Sequence, residues 1–355
     1  MTGFSPFDHA MMRRALELAE KGLYTTTPNP RVGCVITQAD RILGEGWHER
    51  AGGPHAEVVA LEKAAAAAAG ATVYVNLEPC NHQGRTPPCV EALKKAKVKR
   101  VVAAMRDPNP KASAGGNALQ AAGIAFEHGL MADAARELNI GFVSRMTRGR
   151  PWVRLKVAAT LDGRSALANG KSQWITGAAA RQDGQRWRAR ACAILTGIGT
   201  VRADDPRLTV RELETPRQPL RVIVDSRLET PHAARILLGD KVLVFSARSG
   251  TLPNSEVVLL PNENQKVELP KMLQELARRG VNELHVEAGF RLNGSLAREG
   301  CVDEYLIYLN PSFLGDGAQG MLDLPAFASL EERLKLRIVS LDRLGDDLRI
   351  LARPA

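Results

Sequence analysis

Two short runs decide how the first half of this sequence is read: His55-Ala56-Glu57, and Leu77-Glu78-Pro79-Cys80-Asn81-His82-Gln83-Gly84-Arg85-Thr86-Pro87-Pro88-Cys89. Apolar periodicity and breaker residues predict a helix over 55–69 that stops at Gly70, a strand over 72–76 and a helix near 88–96. His55 therefore opens a helix, Cys80 follows a strand end, and Cys89 starts a second helix behind two prolines. One imidazole and two thiolates give zinc three protein ligands and leave a fourth position for water, the pattern of a catalytic site. Zinc brings the pKa of such a water towards neutrality. Glu57, two residues beyond His55 on the first helical turn, reaches that water without being a ligand and is the candidate proton shuttle. A helix N-terminus also favours the thiolate that zinc requires. Taken singly, His55 is an ordinary helix-start residue and each cysteine a small buried hydrophobe. In this order, with a helix and a strand between them, they point to a metal site.

Working outward, a helix is expected over about 7–21, followed by the turn-rich Thr27-Pro28-Asn29-Pro30. Strands are expected over 32–36, 42–46 and 100–104, with smaller elements to 142. This alternation implies a sheet with helices packed on its faces. Near residue 148 the texture changes. Thr147-Arg148-Gly149-Arg150-Pro151 is a polar connector without periodicity, so the domains are drawn as 1–147 and 151–355. The second offers apolar strands at 193–196, 220–224, 242–245, 284–287 and 305–309, with helices at about 177–189 and 270–279. It too is α/β. The length of 355 residues suits two domains of ~150 each.

Hydrophobic residues make up 45% and charged residues 25%, the composition of a soluble globular protein. No apolar run approaches the ~20 residues that span a bilayer. The N-terminus carries Asp8, Glu17 and Glu20 in an amphipathic pattern, which reads as a folded helix rather than a secretory signal. Five cysteines are too few for a disulfide framework and suit a reducing cytoplasm. The net charge of +9 is spread over both halves: residues 1–150 hold 19 Lys and Arg against 14 Asp and Glu, the rest 29 against 25. The densest basic cluster, Lys94, Lys95, Lys97, Lys99 and Arg100, falls where a helix ends, as the helix dipole favours. Phosphorylated small substrates account for the excess more economically than nucleic acid.

The His-x-Glu and Pro-Cys pair resembles the signature of zinc deaminases, with one departure: eight residues, not two, separate Cys80 from Cys89. The whole run 77–89 resembles the deaminase domain of bacterial bifunctional riboflavin-pathway deaminase-reductases. So do Thr27-Pro28-Asn29-Pro30-Arg31-Val32-Gly33-Cys34-Val35 and Arg106-Asp107-Pro108-Asn109-Pro110. The resemblance implies zinc held by His55, Cys80 and Cys89, Glu57 as the shuttle, and a substrate pocket lined by Asn29, His82 and Asn109. His82 as a fourth ligand would close the site to water and is set aside. Cys34, Cys192 and Cys301 read as core.

The second half lacks a Gly-x-Gly-x-x-Gly fingerprint, so a Rossmann domain is not supported. Two glycine turns, Thr196-Gly197-Ile198-Gly199-Thr200 and Glu287-Ala288-Gly289-Phe290-Arg291-Leu292-Asn293-Gly294-Ser295, follow strands. On residue chemistry alone they are equally pyrophosphate cradles or ordinary strand-end turns. Thr160-Leu161-Asp162-Gly163-Arg164, Ser172-Gln173-Trp174-Ile175-Thr176 and Gly199-Thr200-Val201-Arg202-Ala203-Asp204-Asp205-Pro206 resemble the reductase half of the same family, as does Val286-Glu287-Ala288-Gly289. Ala288 stands where many relatives have glycine. The resemblance implies a cytidine-deaminase-like three-layer domain followed by a dihydrofolate-reductase-like one. It implies NADPH contacts at Ala158, Trp174, Thr200, Asp204, Ser226 and the turn of Gly289, Phe290, Arg291, Leu292, Asn293, Gly294 and Ser295. Substrate contacts are implied at Ser172, Arg188, Leu208, Arg211 and Glu287, with Lys156 binding or polarising the sugar. Arg188 and Arg211 suit a ribose 5-phosphate, although any single arginine is more often plain surface.

The expected reactions are hydrolytic deamination of 2,5-diamino-6-(5-phosphoribosylamino)pyrimidin-4(3H)-one and NADPH reduction of the ribosyl group, in a homodimer formed through the reductase half. Two rivals stand beside this: a tRNA or nucleoside deaminase with an unrelated C-terminal module, and a nucleic-acid binder with structural zinc. The cysteine spacing and dispersed charge count against the first. The second leaves His-x-Glu without a purpose.

Overall fold

A computed structural model describes residues 3–84 and 87–355; Arg85 and Thr86 of the cysteine-bearing run lie outside the described residues. The chain forms two compact units, Met1–Gly149 and Arg150–Ala355.

The first unit runs α1 (Pro6–Glu20), β1 (Gly33–Gln38), β2 (Arg41–Trp47), α2 (Ala56–Ala64), β3 (Thr72–Val75), α3 (Cys89–Lys95), β4 (Arg100–Ala103), α4 (Gly115–Ala121), β5 (Ala125–His128), α5 (Ala132–Leu138) and α6 (Ile140–Arg148). The sheet order is β2-β1-β3-β4-β5; β3, β4 and β5 are parallel, and β1 is antiparallel to both neighbours. Ser5 caps α1 in a reciprocal box with Asp8. Two strand glycines let helices press close on opposite faces. A Cβ on Gly33 would lie 2.1 Å from the Ala15 carbonyl oxygen of α1, and one on Gly46 2.4 Å from that of Ala56 in α2. The result is a helix–sheet–helix sandwich with Cys34, Val35, Ile36, Val73 and Val101 at its centre. The helix expected over 55–69 is interrupted. α2 ends at Ala64, Ala65 takes φ +49°, and Ala65–Ala68 is a 3₁₀ turn. Alanine is the best helix former and carries no stop signal. The turn is set by tertiary packing that buries Ala68 and lets the Gly70 amide donate to the Lys97 carbonyl.

The second unit runs β6 (Trp152–Thr160), β7 (Arg164–Ala166), α7 (Ala178–Arg190), β8 (Ala193–Gly197), α8 (Ile198–Asp204), β9 (Leu220–Val224), β10 (Val242–Ser246), β11 (Ser255–Leu259), α9 (Leu269–Arg278), β12 (Glu283–Val286), α10 (Phe290–Arg298), β13 (Glu304–Asn310), β14 (Gln319–Gly320), β15 (Leu336–Leu344) and β16 (Asp347–Pro354). Nine strands lie in the order β11-β10-β9-β8-β12-β6-β13-β16-β15, and β7 pairs with β14 apart from them. The strands from β11 to β13 are parallel; β16 and β15 close the edge antiparallel. One face is hydrocarbon: Val153, Leu155, Leu195, Leu284 and Val286 pack with Met272, Leu273 and Leu276 of α9. The alternate residues of β6, β12 and β13 mix charged groups with Leu306 and Tyr308, which pack against Ala180 and Trp187 of α7. There Arg154 bridges Glu283 (3.1 Å) and Glu304 (2.5 Å), and Arg190 and Arg353 flank those carboxylates. Alternation of this kind, apolar to one side and ionic to the other, is what period two permits.

Candidate active sites

In the first unit the donors come from three segments. His55 is the N-cap of α2, Cys80 lies in the loop between β3 and α3, and Cys89 is the first residue of α3. Their ligand atoms all lie within 4.8 Å of one another. His55 Nδ1 is 3.1 Å from Cys89 Sγ and 3.6 Å from Cys80 Sγ. Donors at zinc–ligand distances around a tetrahedron stand about 3.5 Å apart, so this set fits zinc. The Cys89 thiol, with the His55 ring and the Cys89 amide, holds the Cys80 thiol down to about 4; hydrogen bonding to that thiolate and burial push Cys89 well up. Glu57 is 4% exposed on the first turn of α2, and burial, with the Cys80 thiolate nearby, raises its carboxyl above the usual range. A carboxyl poised in this way suits proton transfer.

Of the pocket residues read from sequence, Asn29 is linked to these donors through His48, a residue the motifs did not single out. Asn29 Nδ2 lies 3.0 Å from Nε2 of His48, a buried histidine whose Nδ1 is 2.9 Å from the Pro54 carbonyl oxygen. The Nδ1–H therefore donates, leaving Nε2 to accept from Asn29. His48 also stacks edge-on to His55, with centroids 5.5 Å apart. Asn109 sits in a loop tied down by Glu78, which is 2% exposed and accepts from the Asp107 and Gly116 amides. Asp107 accepts from the Asn109 amide, and burial lifts its carboxyl to about 6. His82 is not among the clustered donors, and its Nδ1 is buried without a hydrogen-bond partner.

In the second unit the glycine turns lie side by side at the ends of adjacent strands β8 and β12. Gly197 caps α8 and Gly289 caps α10. A Cβ on Gly289 would sit 3.6 Å from Thr200 Oγ1, and one on Gly197 3.0 Å from Leu292. Asp204, whose carboxyl burial raises, accepts from Gln173 beside Trp174, which is 71% exposed under the Arg181 guanidinium. Gly289 and Arg291 are exposed, and Phe290, Leu292 and Ser295 half-buried. Asn293 and Gly294 are buried; Asn293 donates to the Ala288 and Met321 carbonyls, so its side chain braces the turn. Ser226 is half-buried at the end of β9, its Oγ accepting from the Val267 amide.

Glu287 and Arg188 form a two-pronged pair at 2.5 and 2.8 Å, and Arg188 also donates to the Thr209 carbonyl. Burial alone would raise the Glu287 carboxyl, but Arg188, aided by His285 and Lys156, holds it well below the usual range. Glu287 meets the Arg188 charge through Nε and Nη2, and the Arg211 side chain is exposed while its amide donates to Gln185. Lys156 and Ala158 are half-buried on β6; burial lowers the Lys156 ammonium, which lies 5.9 Å from the centroid of Tyr308. Ser172 is half-buried before Trp174, and Leu208 is buried with φ +50°.

Residues 5–105 match the cytidine and deoxycytidylate deaminase zinc-binding region, and residues 151–350 match the RibD C-terminal domain. The second match removes the rival with an unrelated C-terminal module. The riboflavin biosynthesis protein RibD of Haemophilus influenzae is 45% identical over 372 residues, covering 100% of this chain and 99% of that protein. A solved structure of Acinetobacter baumannii RibD is 43% identical with a TM-score of 0.91, over 98% of this chain and 99% of that one. The Thermotoga maritima protein described as a diaminohydroxyphosphoribosylaminopyrimidine deaminase/5-amino-6-(5-phosphoribosylamino)uracil reductase is 32% identical with a TM-score of 0.90, over the same shares. Among the described residues no helix is long and apolar enough to cross a membrane. The chain belongs to the RibD family of riboflavin-biosynthesis proteins, a zinc-type deaminase domain followed by a reductase domain.

Proposed function

We propose that residues 1–147 deaminate 2,5-diamino-6-(5-phosphoribosylamino)pyrimidin-4(3H)-one and that residues 151–355 reduce the product with NADPH to 5-amino-6-(5-phosphoribitylamino)uracil. The observation that carries the first step is the convergence of His55 Nδ1, Cys80 Sγ and Cys89 Sγ beside the buried Glu57. His55, Cys80 and Cys89 would hold zinc, which when bound would supply a water of near-neutral pKa. Glu57 takes the proton of that water and passes protons to the ring nitrogen and the departing ammonia. Asn29, held by His48, and Asn109, held by the Glu78-anchored loop, orient the pyrimidine, with His82 beside them.

In the second step NADPH supplies the hydride. The paired starts of α8 and α10 receive its pyrophosphate, because free amides and the helix dipole favour an anion there. Thr200, Asp204, Trp174, Ala158, Ser226 and the 289–295 turn frame the rest of the cofactor. Lys156, Ser172, Leu208 and Glu287 hold the sugar. Arg211 and Arg188 take the phosphate, and Arg188 also fixes Glu287. The protein works as a homodimer in the cytoplasm on phosphorylated small molecules, without nucleic acid. The edge strand β15 supports the dimer, since Leu336, Ile338, Val339 and Leu341 are exposed along it. Five free cysteines suit a reducing compartment.

The test separates the steps. Glu57→Ala should abolish ammonia release yet oxidise NADPH normally when given the deaminated product. Loss of that second reaction in a folded variant would overturn the two-site reading.

A further inference from the structure

His285 lies in the middle of β12 and is 1% exposed. Among the described residues neither ring nitrogen has a hydrogen-bond partner, and the charged group that approaches it is Glu287, with Oε1 3.4 Å from Nε2. Native proteins rarely leave a buried imidazole in this state without a use for it. Among the described residues, the charged groups around it leave Glu287 as its counterpart. Glu283, on the same strand face, is taken by Arg154 and Arg190. Arg154, the register partner on β6, is shared by Glu283 and Glu304, and β8 presents Ile194. From α7 comes Arg188, already forked onto Glu287.

We propose that His285 is a positioning residue for the reduction: its ring braces Glu287 from the interior, fixing the Glu287–Arg188 fork beside Lys156 at the end of β12. The proposal rests on the reading that places Glu287 at the substrate. Arg188 grips Glu287 from the helix and His285 backs it from the sheet, so the carboxylate is held from two elements. Burial lowers the His285 ring below its ordinary range, so near neutrality it adds no third positive charge beside Arg154 and Arg188. In acid the ring gains a proton and competes with Arg188 for Oε1, which moves the carboxylate.

The test uses the full chain with His285→Leu and His285→Gln. NADPH oxidation is followed with the deaminated product from about pH 5 to 8, the range a shifted histidine covers, and ammonia release serves as an internal control. His285→Leu should raise KM for the phosphoribosyl substrate about tenfold, the scale of a slightly misplaced contact, with kcat little changed. It should also remove the acid-side bend in kcat/KM. His285→Gln, which keeps an N–H donor, should restore part of KM but not the bend. Ammonia release should not change. If the leucine variant does not fold, the glutamine variant decides by its bend. An unaltered bend and KM, or a fall in kcat with the bend intact, overturns the brace. Glu287→Gln separates the two levels. If it leaves KM unchanged, the substrate-site reading falls and the brace with it; if it raises KM while the His285 variants do not, only the brace falls.

Discussion

Replacing Arg154 by methionine should weaken the second unit by about 3 kcal/mol and leave the first unit untouched. Arg154 is 2% exposed, binds Glu304 at 2.5 Å and Glu283 at 3.1 Å, and lies 4.3 Å from the centroid of Trp187. Orphaning a buried charge costs about 3–5 kcal/mol. Here neither carboxylate is orphaned, because Arg190 stays on Glu283 at 2.7 Å and Arg353 on Glu304 at 2.8 Å. Methionine keeps most of the hydrocarbon stem, so the loss belongs at the low end of that range. For a domain of this size each kcal/mol moves Tm by about 2–4 °C, which gives a fall of about 6–12 °C. Calorimetry on the full chain, with loss of NADPH oxidation marking the reductase transition, reads the effect directly. A shift under about 2 °C, or equal movement of both transitions, would show that the lattice of charges does not hold the sheet to α7 as argued.

Cys89→Ser, or a strong chelator, should strip zinc measured by elemental analysis and end ammonia release, while reduction of supplied deaminated product continues. At Asp8 burial raises the carboxyl, but Arg100, Tyr74 and Ser5 outweigh it and hold it well below the usual range. A depressed acid stabilises the fold above its unfolded pKa of about 4 and loses that contribution as pH falls. Asp8→Asn should therefore cost about 2 kcal/mol at pH 7 in denaturant melts, the difference narrowing in acid. Ile338→Lys with Leu341→Lys should halve the mass found by sedimentation; an unchanged mass would place the dimer contact elsewhere.

The clustered donors were legible because short local motifs, His55 with Glu57 and Pro79 with Cys80, fall at helix starts and strand ends, which announce themselves in sequence. His48 was not, although it lies seven residues before His55; its importance depends on a contact with Asn29 that only the fold creates. The second unit was readable where strands are buried on both faces and run apolar, as in β8 and β10. β15 and β16 escaped notice because the edge strand β15 and its neighbour β16 mix exposed or half-buried leucines with charges and show no clean alternation. Arg188 shows the limit of reading charge without geometry. An arginine read only as a phosphate contact is also forked onto a carboxylate ninety-nine residues away, a partner no sequence pattern announces.

The three zinc donors stand at positions 55, 80 and 89, on a helix start, a loop and a second helix start. An ion gripping all three is also a cross-link, pinning chain segments 25 and 9 residues apart. It lowers the freedom of the unfolded first unit and contributes binding energy only to the folded one. If zinc is that ion, its supply would govern how much of the folded first unit persists, as well as how fast it turns over.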